Sequence, residues 1–210
     1  MDQLKIKREW STLLSDSGIS QSQQSDELYN ELIIAYSEAQ RHYHTLDHIL
    51  EMLSLLNESG CVEPAARWAT WYHDIVYLPG HKNNEEKSAL KAVSSLKSIG
   101  INNDIAQLVQ NIILATQSHI SSSDSSHFLL TVLDADMAIL GSNQNSYMKY
   151  CHAISMEFGH IPRLAYEHGR GRFIRSVASQ ERIYQTAWFY DRFEKLAREN
   201  IQQELIKIDG

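Results

Sequence analysis

The sequence predicts an all-α fold, and three observations carry that reading. Apolar residues recur three and four apart in segment after segment, as in Leu28, Leu32, Ala35 and Ala39. Nowhere does a run alternate apolar and polar residues with the period of two that a half-buried strand shows. Prolines number only three in 210 residues, which leaves room for long helices.

The first helix is expected over Leu4 to Leu14, with Trp10, Leu13 and Leu14 on one face. Ser15 to Ser25 is polar, contains Gly18 and reads as a loop. A second helix runs from about Asp26 to Gln40. A third, Leu46 to Leu56, presents Ile49, Leu50, Leu53 and Leu56 and is stopped by Gly60. Pro64 opens the fourth, where a missing N–H costs little. That helix is expected from Ala65 to Tyr77, broken by Pro79-Gly80. Asn83 to Leu96 places Glu85 and Glu86 in its first turn, where the helix dipole favours negative charge. Gly100 ends it, and Asp104 to Thr116 follows with Ile105, Leu108, Ile112 and Ile113 on its apolar face. Ser121 to Ser126 reads as a serine-rich loop.

Phe128 to Leu140 is apolar enough for a buried helix, ended by Gly141. Ser146 to Phe158 is expected to be helical, Pro162 to Gly171 less regular, and Phe173 to Val177 and Ile183 to Trp188 short helical pieces. The last helix, Trp188 to Ile208, carries Phe193, Ala197, Ile201 and Leu205 in register, with a Glu194–Arg198 pair on its surface. The whole is on the order of eight to ten helices packed ridge into groove.

No Pro/Gly-rich or low-complexity linker divides the chain, so residues 1–210 are expected to form one domain. A hydrophobic share of 43% beside 21% charged residues suits a globular protein. A formal net charge of −7 argues against a general nucleic-acid binder, which needs a basic footprint. It does not argue against a small phosphorylated substrate, because one metal-lined pocket can be positive on an acidic protein. Cys61 and Cys151 share no local spacing and read as free thiols of a reducing compartment. The N-terminal residues lack a signal-peptide apolar region, and no apolar run approaches the roughly 18 residues of a membrane span. The expectation is a cytoplasmic protein with no membrane partner; a homodimer is left open.

Chemistry concentrates in three segments. His73-Asp74 interrupts the apolar run Trp71 to Tyr77. His44 and His48 lie four apart, on one face if a helix has begun by then. Asp134 and Asp136 interrupt the apolar run from Phe128 to Leu140. On a helix, residues two apart point about 160° away from each other, at roughly 100° per residue, so only one reaches a given site. Buried polar groups need partners. The plain alternatives are a core histidine bonded to a carbonyl with Asp74 exposed, and aspartates serving as caps or surface ion pairs. A bound cation is one partner that satisfies imidazole and carboxylate together.

The order His, then His-Asp, then a distant Asp resembles the HD superfamily of metal-dependent phosphohydrolases. Tyr43-His44-Thr45-Leu46-Asp47-His48 is also similar to the Tyr-His-Asn-x-x-His motif of the cyclic-nucleotide phosphodiesterases in that superfamily, with Thr45 where that motif has Asn. A closer resemblance is to a bacterial group of predicted metal-dependent HD phosphohydrolases. It rests on Arg41-His42-Tyr43-His44, Trp71 to Tyr77, Asn84-Glu85 with Ser88-Ala89, and Ala115-Thr116 with His119. It continues through Leu133-Asp134-Ala135-Asp136 with Ile139-Leu140-Gly141, then Gly169-Arg170 and Ala197-Arg198-Glu199-Asn200. This covers nearly the whole chain; Ser155 stands where the group usually has arginine.

The resemblance implies an HD-domain fold and His48, His73, Asp74 and Asp136 as metal ligands, Asp74 bridging where two ions bind. It implies His44 as the acid that protonates the leaving oxygen and Glu85 as the residue orienting the attacking water. His119 and Arg170 would contact phosphate, His119 alternatively ligating a second ion. The cofactor would be one or two divalent ions per chain, drawn from Mn, Fe, Co, Ni, Zn or Mg. The expected activity is phosphatase or phosphodiesterase hydrolysis of a nucleotide or another small phosphoester by metal-activated water. The competing readings are an HD-type di-iron oxygenase and a non-catalytic nucleotide-binding module.

Overall fold

The computed structural model describes residues 3–119 and 125–209. The described residues build an all-α fold of ten α-helices and one 3-10 turn, with no strand among them. They divide into two compact units, residues 1–133 and 134–210.

In the first unit, α1 (Gln3–Asp16) buries Ile6, Trp10, Leu13 and Leu14. α2 (Gln23–Tyr36) starts earlier than the apolar pattern indicates, because Ser22 and Ser25 cap each other's backbone N–H groups. α3 (Leu46–Glu58) ends where Gly60 adopts φ 78° and Cys61 N–H returns to the Leu56 carbonyl, the left-handed turn that favours glycine. α4 (Pro64–Tyr72) is the axis of this unit, its residues from Ala65 onward all buried. Trp10 meets Trp68 and Trp71 edge-on, with ring centroids 5.3 and 5.6 Å away. α5 (Asn84–Ser98) and α6 (Asn103–Thr116) pack on each other, and α4 packs on both.

α4 ends five residues before the expected Tyr77, and the reason is competition for backbone groups. Arg41 takes the carbonyls of Asp74 and Ile75 at 2.7 and 3.1 Å. Ser88 Oγ accepts from Val76 N–H at 3.1 Å and donates to its carbonyl at 3.3 Å. Asn84 accepts from Leu78 N–H at 3.2 Å and donates to its carbonyl at 2.9 Å. Side chains from distant sequence thus replace the helical ladder, and residues 73–78 turn instead of continuing.

α7 (His127–Met137) contains the division between the units and runs into a 3-10 turn, Ala138–Gly141. The serine-rich loop expected over 121–126 lies mostly outside the described residues, which resume at Ser125. In the second unit, α8 (Gln144–Glu157) is capped by Asn143, whose side chain accepts from Ser146 N–H. α9 (Arg163–Ala178) is one continuous helix where the sequence suggests an irregular stretch and a short piece. α10 (Ala187–Asp209) packs on α9 and on the 3-10 turn. Residues 179–186 are not helical, contrary to the expected piece from Ile183 to Trp188. Glu194 holds that segment by accepting from Ile183 and Tyr184 N–H at 3.0 and 3.2 Å, while pairing with Arg198. Cys61 and Cys151 are both free. No described helix is long and apolar enough to cross a membrane.

Candidate metal centre

Two turns of the first unit build most of the site. One is the link between α2 and α3, where Thr45 takes extended backbone and α3 begins only at Leu46. His44 therefore precedes the helix rather than sharing a helix face with His48, yet the two rings lie 5.9 Å apart. The other is the end of α4, where His73 is the C-cap and Asp74 follows in the turn. Helix ends leave carbonyls without intrahelical partners, which lets the chain turn a His and an Asp toward one point.

His48 and His73 are buried, with ring centroids 5.5 Å apart. His73 Nδ1 lies 2.9 Å from the Thr70 carbonyl. A carbonyl only accepts, so Nδ1 carries a proton, which leaves Nε2 as the nitrogen that can meet a cation or a second proton. That Nε2 is 3.2 Å from Asp74 Oδ2. A lone pair and a carboxylate oxygen this close are compatible only with a proton or a cation beside them, which is the chemistry a divalent ion satisfies. His44 Nε2 reaches the same Asp74 oxygen at 3.9 Å.

Asp136 lies on the last turn of α7. His48, His73 and Asp136 each offer one ligand atom, all within 4.8 Å of one another, so this group could hold a metal ion. Nitrogen and carboxylate donors in that number suit a borderline divalent cation and leave open positions. Asp134, two residues earlier, has another task. Its carboxylate accepts from Gln185 N–H and Thr186 N–H, both at 2.8 Å, and from Thr186 Oγ1 at 2.7 Å. Burial pushes the Asp134 carboxyl above its ordinary value despite those bonds.

Glu85 and His119 form a flank. Glu85, in the first turn of α5, is half-buried and lies 3.5 Å from Gln117 Nε2. Burial first, and the Asp74 charge behind it, push the Glu85 carboxyl up, while hydrogen bonds from its own backbone and from Gln117, and last His119, pull it down. His119 holds φ 51°, an uncommon left-handed backbone for a residue with a side chain, just beyond α6. Arg170 is engaged within the second unit. Its Nε and Nη2 bind Glu204 at 2.8 and 3.1 Å, and Nη1 donates to Tyr150 Oη at 2.9 Å. Only 9% exposed, it ties α9 to α10 and α8.

Sequence reasoning gave no role to Arg41, which grips both turns of the site. The signal was there in weak form, as an arginine three residues before His44. Compared with protein-family models, with curated proteins and with solved structures, the chain matches none.

Proposed function

We propose that this protein is a metal-dependent hydrolase of phosphoesters, acting on a nucleotide or another small phosphorylated substrate. The observation that carries the reading is the convergence of His48, His73 and Asp136 within 4.8 Å, with Asp74 3.2 Å from His73 and His44 3.9 Å from Asp74. A divalent ion held there supplies Lewis acidity, which neutralises charge on phosphoryl oxygens and acidifies water.

The chain's own residues supply the rest. His48, His73, Asp74 and Asp136 hold the ion. His44 sits beside the ligands, on the turn that precedes α3, and gives a proton to the departing oxygen. Its ring is held against Tyr77, with centroids 4.3 Å apart. Glu85, with its raised pKa, accepts a hydrogen bond from the attacking water and orients it.

The test is metal content per chain for wild type, His73→Ala and Asp74→Ala, followed by hydrolysis assays. Near-stoichiometric metal is expected in wild type and a large loss in both variants. Phosphomonoesters, phosphodiesters and nucleotides should then be offered to chelated and reloaded protein. Activity restored by one divalent ion and abolished by Asp74→Ala is the expected outcome. Metal-loaded protein inert on all three classes would overturn the proposal.

A further inference from the structure

We propose that Arg41 is the positioning residue of the candidate metal centre, fixing the turn that carries His44 against the turn that carries His73 and Asp74. This rests on the metal-binding reading above and adds the device that sets its geometry.

The Arg41 side chain is fully buried. A guanidinium removed from water is costly unless its donors are matched. Three of its contacts go to backbone carbonyls: Asp74 at 2.7 Å, Ile75 at 3.1 Å and His44 at 3.3 Å. Its Nε donates to Glu38 Oε2 at 3.1 Å. The carbonyls of Asp74 and Ile75 lie just past the end of α4, where the helical ladder has run out. A planar fork bonds two successive carbonyls at once; the single ammonium of lysine does not reproduce that geometry.

The bonded carbonyls belong to the site itself. Two of the three are those of His44 and Asp74, whose side chains meet at 3.9 Å. Shifting either carbonyl therefore shifts the attached imidazole or carboxylate. The aromatic neighbours extend the same control. Arg41 lies over the rings of Tyr36 and Tyr77 at 5.0 and 5.3 Å. Tyr77 in turn packs on His44 at 4.3 Å, with the rings inclined 35°. Tyr36 Oη donates to the Trp71 carbonyl at 3.0 Å, in the last turn of α4. One cation thus sets the rotation of the His44 ring on one side and the Asp74 carboxylate on the other.

The experiment titrates Co2+ into metal-free wild type, Arg41→Lys and Glu38→Ala, following the visible d–d absorption, with helical circular dichroism and melting measured in parallel. Wild type should bind Co2+ with a defined band. Arg41→Lys should keep its helical signal, bind about 10- to 100-fold more weakly, as outer-shell losses do, and shift the band. Glu38→Ala, which releases only Nε, should show a smaller loss in the same direction. Arg41→Lys with wild-type affinity and band would overturn this inference alone. Should Arg41→Lys fail to fold, Glu38→Ala decides: a weakened, shifted site supports the inference and an unchanged one overturns it. Wild type silent to Co2+ would overturn the metal-binding reading, and this inference with it.

Discussion

Two aspartates separated by one alanine show how much a single residue's surroundings decide. Asp134 and Asp136 have the same chemistry and share α7, yet helical geometry turns them about 160° apart. Asp134 fastens residues 185 and 186, whereas Asp136 joins His48 and His73. Their substitutions should separate cleanly. Asp134→Ala leaves a buried Thr186 N–H without its acceptor and should cost about 3 kcal/mol, read as a lower urea midpoint at unchanged slope. Asp136→Ala should abolish cation binding in a metal titration. If Asp134→Ala removed metal while leaving stability alone, the two roles assigned here would be reversed. Helical spacing reached the exclusion and the resemblance pointed to Asp136, but the task of Asp134 was not legible, because its partners lie some fifty residues downstream.

At the scale of elements, α9 and the end of α4 teach opposite lessons. Gly169 and Gly171 each cost a helix roughly 1 kcal/mol relative to alanine, so local propensity argues against the middle of α9. Tertiary contacts override it, because Arg170 between them pairs with Glu204 on α10. A Cβ on Gly171 would lie 2.8 Å from the flexible end of Arg175 and 3.4 Å from Ile208 Cγ2. Nothing lies within 4 Å of a Cβ built on Gly169. Gly169→Ala should therefore stabilise the protein by about 1 kcal/mol. Gly141 is the contrast, since its Cβ would meet the Phe193 carbonyl oxygen at 2.5 Å and the Phe193 Cα at 2.9 Å. Backbone cannot step aside cheaply, so Gly141→Ala should destabilise by about 3 kcal/mol or more. Chemical denaturation of the two variants side by side checks both signs. In α4 the local pattern is strongly helical through Tyr77, and Arg41, Asn84 and Ser88 end the helix early by taking its backbone groups.

At the scale of the whole molecule, the acid limb of stability should carry the mark of Glu204. Burial acts to raise its carboxyl, but the bonds and charge of Arg170 outweigh it, with Tyr147 and Cys151 adding hydrogen bonds, and hold it below its ordinary value. A carboxyl depressed on folding binds fewer protons than in the unfolded chain. Its stabilising contribution is complete above about pH 4.5, the ordinary value, and is lost as pH falls through the lower folded one. Glu204→Gln should flatten the decline of the melting midpoint below pH 4.5, and a decline as steep as in wild type would count against this account. Removing Arg170 would leave this half-buried carboxylate without its counter-ion.

The sequence alone settles the class of fold, an approximate number of helices and the residue types able to ligate a cation. All of these follow from local periodicity and composition. The apolar stripes of α1, α3 and α6 are legible because burial demands one face every three or four residues. His73, Asp134 and Asp136 stood out as polar groups in apolar runs, since such groups require a partner, and His48 by its spacing of four from His44. Only the tertiary structure decided where α4 stops, that α9 is continuous, that Asp134 fastens residues 185 and 186, and that Arg41 joins the two turns. Each of those outcomes depends on a hydrogen bond, an ion pair or a metal-ligand grouping between residues far apart in the chain. The local pattern carries no record of which donor will meet which acceptor once the helices pack.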